Sequence, residues 1–102
     1  MVLNGTSSSF LGNISNGSTG DGIAIGAPSG AILAIGNTFE GNITNSNSQV
    51  GIHEYSASSG SHFTGNVASS NGVLDISEAH TGCATDTYKS EVFGTANLTC
   101  VK

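Results

Sequence analysis

Arginine is absent from this 102-residue chain and only two lysines occur, against seven acidic residues and a formal charge of −5. Nucleic-acid binding rests on neutralising phosphates with basic side chains, so that class of function is excluded. Docking on an anionic membrane surface is disfavoured for the same reason. Long apolar runs are missing too: nothing approaches the roughly 20 residues of a membrane span, so no membrane insertion is expected. Met1-Val2-Leu3-Asn4-Gly5 has neither the charged nor the apolar region of a secretory signal. An exported form would therefore have lost a leader or been cut from something longer. Proline occurs once and charged residues make up 9% of the chain, against about 25% in ordinary domains. Disorder normally needs high charge and abundant proline, and this chain has neither.

Hydrophobic residues make up 36%, fewer than a compact globule of this size needs to fill its core. Serine, threonine, asparagine and glycine stand in their place. That mixture suits a solenoid, in which each short coil needs few inward apolar residues and many turn residues. The length implies one domain. Two cysteines, Cys83 and Cys100, fall in the last fifth of the chain. Taken alone they are weak grounds for a disulfide, and a metal site would need more ligands at closer spacing.

Self-similarity is the most informative feature. Phe10-Leu11-Gly12-Asn13-Ile14 returns as Phe39-Glu40-Gly41-Asn42-Ile43 and as Phe63-Thr64-Gly65-Asn66-Val67, at intervals of 29 and 24 residues. A second motif follows each copy: Gly22-Ile23-Ala24-Ile25, Gly51-Ile52-His53-Glu54 and Gly72-Val73-Leu74-Asp75-Ile76. Runs of Ser, Asn and Gly separate the motifs. Each repeat reads as short alternating strands joined by corners. The glycine supplies a backbone angle that other residues resist. The asparagine tolerates the corner and bonds locally. Coils stacked about 4.8 Å apart would align Asn13, Asn42 and Asn66 in an amide ladder and Phe10, Phe39 and Phe63 in an internal aromatic stack. Ile14, Ile43 and Val67 would form an inward aliphatic stack. No segment keeps a helical apolar period over three turns. Ala31-Ile32-Leu33-Ala34-Ile35, bracketed by Gly30 and Gly36, fits a short buried strand better than a helical turn.

This pattern resembles the parallel β-helix repeat family, found in secreted polysaccharide lyases, epimerases and many surface proteins, over roughly residues 6–78. The resemblance implies an all-β fold: a right-handed parallel β-helix (a single-stranded solenoid) of about three coils plus a C-terminal capping loop. Within one domain, 1–9 would be an uncapped N-terminal edge, 10–78 the repeat coils and 79–102 the cap. The tail, with Cys83, Tyr88, Phe93-Gly94-Thr95-Ala96-Asn97 and Cys100, looks like the closing segment of secreted members, where tryptophan is usual at the place of Tyr88. It implies that Cys83 bonds Cys100, in an oxidising compartment, and that Phe93 makes a final partial coil. An extracellular, cell-surface or periplasmic location follows as an expectation. One scaffold serves many chemistries, so the resemblance implies no particular activity.

The N-terminal end has no distinct cap, and an open coil exposes unpaired backbone groups. Either the chain is the C-terminal piece of a longer β-helix, or the bare coil pairs with another copy; self-association through the N-terminal coil is the expectation for the isolated protein.

No catalytic set emerges. His53-Glu54 is the densest polar cluster and the first candidate for ligand binding. Strand neighbours point to opposite faces, so the two are not expected to act together. Glu54 aligns with an inward position unless the strand ends early, and a solvent-facing loop is the expected setting. Asp75, Glu78, His80 and Asp86 surround the cap; a carboxylate pair near a histidine suits acid–base or metal chemistry, but their spacing matches no ligand motif and solvated loop positions are expected. Asp21 and Glu40 fall on different faces, so they make no glycosidase pair. Lyases of this fold generally use a basic residue, and Lys89 and Lys102 both lie in the tail. No nucleophile elbow and no repeated threonine ladder for ice binding appears. The Asn-x-Ser/Thr triplets at Asn4, Asn13, Asn16, Asn42 and Asn97 reflect composition. No cofactor and no metal is expected. The leading reading is a non-catalytic structural or carbohydrate-associated module, with a polysaccharide as partner. The alternatives are a fragment or subunit of a polysaccharide lyase, epimerase or hydrolase with its active site elsewhere or at an oligomer interface, and a small solenoid that exists as an oligomer.

Overall fold

The computed structural model describes residues 1–29 and 34–102. It is all-β, a parallel solenoid of about three coils. The chain first passes through β1 (Val2–Leu3), β2 (Gly5–Thr6) and β3 (Ser9–Leu11), then β4 (Ile23–Ile25), β5 (Ala34–Ile35), β6 (Thr38–Glu40) and β7 (Ile43–Asn45). It comes round again through β8 (Val50–Glu54), β9 (His62–Thr64) and β10 (Val67–Ser69). A closing stretch follows: β11 (Leu74–Ser77), a short 3₁₀ turn (Thr81–Cys83), β12 (Thr87–Lys89) and β13 (Val92–Phe93). Strands stack in register as β1-β4-β8-β11, β3-β6-β9-β12, β7-β10-β13 and β2-β5, and every pairing is parallel. Among the described residues no helix is long and apolar enough to cross a membrane. Residues 31–33 of the anticipated Ala31–Ile35 strand lie outside the described residues; Ala34 and Ile35 form β5, the first buried and the second exposed.

Columns of like residues hold the coils in register. Phe10, Phe39, Phe63 and Tyr88 stack with ring centroids 5.1, 5.0 and 4.4 Å apart, each contact adding about 0.5–1.5 kcal/mol beyond the area it buries. Asn42 Oδ1 accepts from the Asn13 N–H and side-chain amide, while Asn42 Nδ2 donates to Phe10 O and Asn66 Oδ1. Both donors and both lone pairs of that buried amide are thus used, which is why a wholly enclosed asparagine costs little here. A second ladder runs Ser18, Asn47, Asn71 to Asp75. The glycine before each Asn13, Asn42 and Asn66 adopts φ of 61–64°, the left-handed turn that lets the chain corner there.

The aliphatic column does not face inward. Ile14, Ile43, Val67 and Val92 align, yet Ile14 is 68% and Val92 60% exposed. With the ladder amide occupying the corner, it is the next residue, Thr44 or Ala68, that alternation turns into the core.

The tail winds on as a further pass. Tyr88-Lys89-Ser90-Glu91-Val92 repeats the pattern of Phe63-Thr64-Gly65-Asn66-Val67, with Ser90 at φ 58° in the glycine's place. Phe93 sits on the neighbouring face, paired with Ala68. Cys83 and Cys100 form a disulfide across 17 residues with Cα atoms 5.9 Å apart. Closing a loop of that length stabilises by about 3 kcal/mol in the chain-entropy model.

Candidate functional site

Two polar constellations lie on opposite sides of β8, because neighbouring residues on a strand point opposite ways. His53 faces outward. It stacks on Tyr55, two residues along the same face, with ring centroids 3.9 Å apart. Asp21, from the preceding coil, ties the pair down: its Oδ2 lies 3.0 Å from His53 Nδ1 and accepts from the Tyr55 hydroxyl at 3.2 Å, while Oδ1 accepts from Val50 N–H. Partial burial, then the adjacent Asp21 charge, raises the Tyr55 phenol above its ordinary value. Beside this group an open groove of about 580 Å³ runs past Met1, Thr19, Asp21, Ala24, Pro28 and Tyr55. The sequence placed His53 on a candidate ligand surface; its partners Asp21 and Tyr55 come from register, which spacing alone does not reveal.

Glu54 faces inward and is fully buried, so the expected solvent-facing loop is corrected. β8 stays extended through Glu54, and register with Ile25 carries the carboxyl into the core. Leu3, Ile25, Glu54 and, one residue past β11, Glu78 make one inward column that changes from apolar to acidic. Glu78 and Asp86 are buried as well, as is Asp75, so the expectation that these carboxylates are solvated is also corrected. Each accepts hydrogen bonds in its buried position.

Asp75 Oδ1 takes the Asn71 amide and N–H, and Oδ2 takes Gly94 and Thr95 N–H. Burial alone would raise its pKa, but those donors outweigh it and hold the carboxyl below the ordinary range. Glu78 receives the Tyr88 hydroxyl on Oε2 at 2.9 Å and both the His80 N–H and Nδ1 on Oε1 at 2.7 and 2.8 Å. His80 Nε2 lies 3.0 Å from Ser56 O. A carbonyl only accepts, so Nε2 carries a hydrogen. Burial would depress this histidine; its bonds to Glu78 and Ser56 and the Asp86 charge overcome that and raise it.

Asp86 Oδ1 accepts from Ser61 N–H, and Oδ2 sits 2.8 Å from His80 Nδ1. That oxygen meets the ring as an ion-pair contact and has no hydrogen-bond partner of its own; Nδ1 lies equally close to Glu78 Oε1, at 2.8 Å. Burial, opposed by Ser61 and reinforced by Glu78, raises the Asp86 carboxyl. Glu54 accepts from Ser61 Oγ on Oε1 at 2.8 Å, leaving Oε2 unpartnered. Burial, with Asp86 beside it, pushes its carboxyl up to about 8. Burial and the surrounding carboxylates keep the Tyr88 phenol protonated.

The remaining candidates stay apart. Glu40 is exposed on a different face from Asp21. Asn66 passes its ladder to Glu91, whose oxygens accept from the Asn66 amide at 3.0–3.3 Å. Sequence reasoning missed Ser61 and Tyr88 as members of the inner cluster; the 25-residue step from Phe63 to Tyr88 and from Ser61 to Asp86 is the signal that finds them.

No protein-family model matches the chain, nor does any curated protein or solved structure. Among the described residues the fold and these two constellations define a disulfide-closed β-solenoid with a polar cluster on its outer face and an acidic cluster in its interior.

Proposed function

We propose that this solenoid is a non-catalytic, carbohydrate-associated module of a secreted or surface protein, and that its outer Asp21–His53–Tyr55 face holds a neutral glycan. The supporting observation is the stacked His53–Tyr55 ring pair, fixed by Asp21 at the rim of an open groove. Sugar rings bind by laying their C–H faces on aromatic rings while their hydroxyls bond fixed polar groups; a rigid aromatic beside a carboxylate supplies both. The net charge of −5 and the Asp21 carboxylate disfavour uronate chains, which carry the same sign. The disulfide suits an oxidising compartment. The first coil leaves the outer edges of β1 and β3 open, and a second copy pairing there would cover them.

Titration of isotope-labelled protein with neutral and uronate oligosaccharides tests this reading. Shifts confined to residues around Asp21, His53 and Tyr55 with neutral chains, and an affinity at least about tenfold weaker in Tyr55→Ala, roughly 1.4 kcal/mol, are expected. Absence of binding, or release of a shortened or unsaturated product from any glycan, would overturn it, the latter in favour of an enzyme.

A further inference from the structure

The inner cluster is not used by the outer face, and its composition is peculiar for a core. Three carboxyl groups and one imidazole converge from separate parts of the chain: Glu54 at the end of β8, Glu78 just after β11, His80 at the head of the 3₁₀ turn and Asp86 just before β12. Ligand atoms of Glu54, His80 and Asp86 all lie within 4.8 Å of one another. Acidic side chains alone make no site. Here, however, Glu54 Oε2 is fully buried with no hydrogen bond, and Asp86 Oδ2, buried too, has only the ion-pair contact with His80 Nδ1 at 2.8 Å; buried oxygens are rarely left so.

We propose that Glu54, His80 and Asp86 bind a divalent transition-metal ion of the zinc class, which pins the closing stretch to the third coil. The donor set argues for the class. Calcium and magnesium take oxygen ligands, whereas one imidazole nitrogen with carboxylate oxygens suits zinc and its neighbours. The surrounding bonds fit the supporting role that metal ligands need. The Nε2–H of His80 is committed to Ser56 O, so Nδ1, which in the metal-free protein donates its hydrogen to Glu78 Oε1, is the nitrogen that would release that proton and ligate, metal binding being coupled to proton release. Ser61 holds the other oxygen of Glu54 and, through its N–H, the other oxygen of Asp86. Glu78 keeps the His80 backbone in place through its N–H. Zinc would therefore meet two oriented carboxylates and one oriented imidazole, with a fourth position left for water or a second carboxylate oxygen. The ligands span 32 residues and three elements, so no local spacing motif announces them. Binding then stabilises the fold, since no such site exists in the unfolded chain.

The experiment is oxidative refolding with and without zinc, followed by metal analysis, calorimetric titration of the metal-free protein with Zn²⁺, and thermal unfolding, with Mg²⁺ and Ca²⁺ in parallel. One zinc per chain and a raised unfolding temperature are expected, with no comparable effect of Mg²⁺ or Ca²⁺. Glu54→Gln keeps the Ser61 bond and so should fold, as circular dichroism would verify; in it and in Asp86→Asn zinc affinity should fall more than about tenfold. His53→Ala, on the outer face, should bind zinc as the parent does. Co²⁺ in place of zinc should show visible bands of a low-coordinate nitrogen–oxygen site that vanish in Glu54→Gln. No binding by the parent protein, binding unchanged in both inner variants, or binding lost in His53→Ala would each overturn the assignment.

Discussion

The two ends of this solenoid share a backbone path and differ in what fills it. Toward the N-terminus the inward column is Leu3 and Ile25; toward the C-terminus, in the same register, it is Glu54 and Glu78. The ladders change in parallel. Interior rungs are asparagines, which accept from one coil and donate to the next, while the last rungs are carboxylates: Glu91 below Asn66, Asp75 beside Asn71 and Asp86 below Ser61. A rung with no coil beyond it needs acceptors only, and a carboxylate offers more of them than an amide. The comparison teaches that a solenoid can close itself by exchanging amides for acids at its end, and that the same exchange gathers charge inside the core.

The largest effect should come from crowding the shared ladder. A Cβ at Gly51 would lie 2.5 Å from both Asn71 Nδ2 and Asp75 O, and the backbone oxygen cannot yield. Gly51→Ala should destabilise by roughly 3–5 kcal/mol, whereas Gly20→Ala, which meets nothing within 4 Å, should change stability by less than about 0.5 kcal/mol; chemical denaturation compares them. Next comes the interior rung. Asn42→Leu takes the acceptor from Asn13 N–H and the Asn13 side-chain amide and the side-chain donor from Phe10 O, and should cost on the order of 3 kcal/mol. Equal stability of that variant and the parent would remove the ladder from the account. Reducing the disulfide should cost about 3 kcal/mol and loosen β12 and β13 before β4 and β8, a difference that amide exchange resolves.

A smaller effect concerns pH. Burial, opposed by bonds from Asn66 and Gly65, pushes the Glu91 carboxyl up to about 7 from its ordinary 4.5. A raised folded-state pKa means the folded chain holds the proton more tightly. The associated stability is fully present below about 4.5 and is lost as pH rises through about 7, by on the order of 1–3 kcal/mol. Glu91→Gln keeps a neutral acceptor for Asn66 and should flatten that part of the stability profile; an unchanged slope would show that other groups set it.

The coils were legible because Phe10, Phe39 and Phe63, and Asn13, Asn42 and Asn66, are the same residue at each pass, and like residues stack on themselves. The fourth pass was harder to see because its three signature positions are substituted: tyrosine for phenylalanine, Ser90 for glycine and Glu91 for asparagine. The aliphatic positions misled because apolar character suggests burial, while the side on which Ile14 falls is decided by the amide at the corner. The inner acids were hidden more deeply. Glu54 and Asp86 are 32 residues apart and meet only through register, so a reading that looks for ligands at short spacing passes over them.

The central claim is that Glu54, unlike the carboxylates that end the ladders, belongs to a site added to the solenoid and is not what holds the solenoid up. Glu54→Leu tests it most directly, by continuing the apolar column of Leu3 and Ile25 by one more coil. In metal-free protein the variant should be as stable as the parent or more stable by about 1–3 kcal/mol, since it removes a buried carboxyl oxygen that has no hydrogen bond and fills its place with apolar volume. A loss of several kcal/mol would contradict the account and make Glu54 part of the scaffold itself.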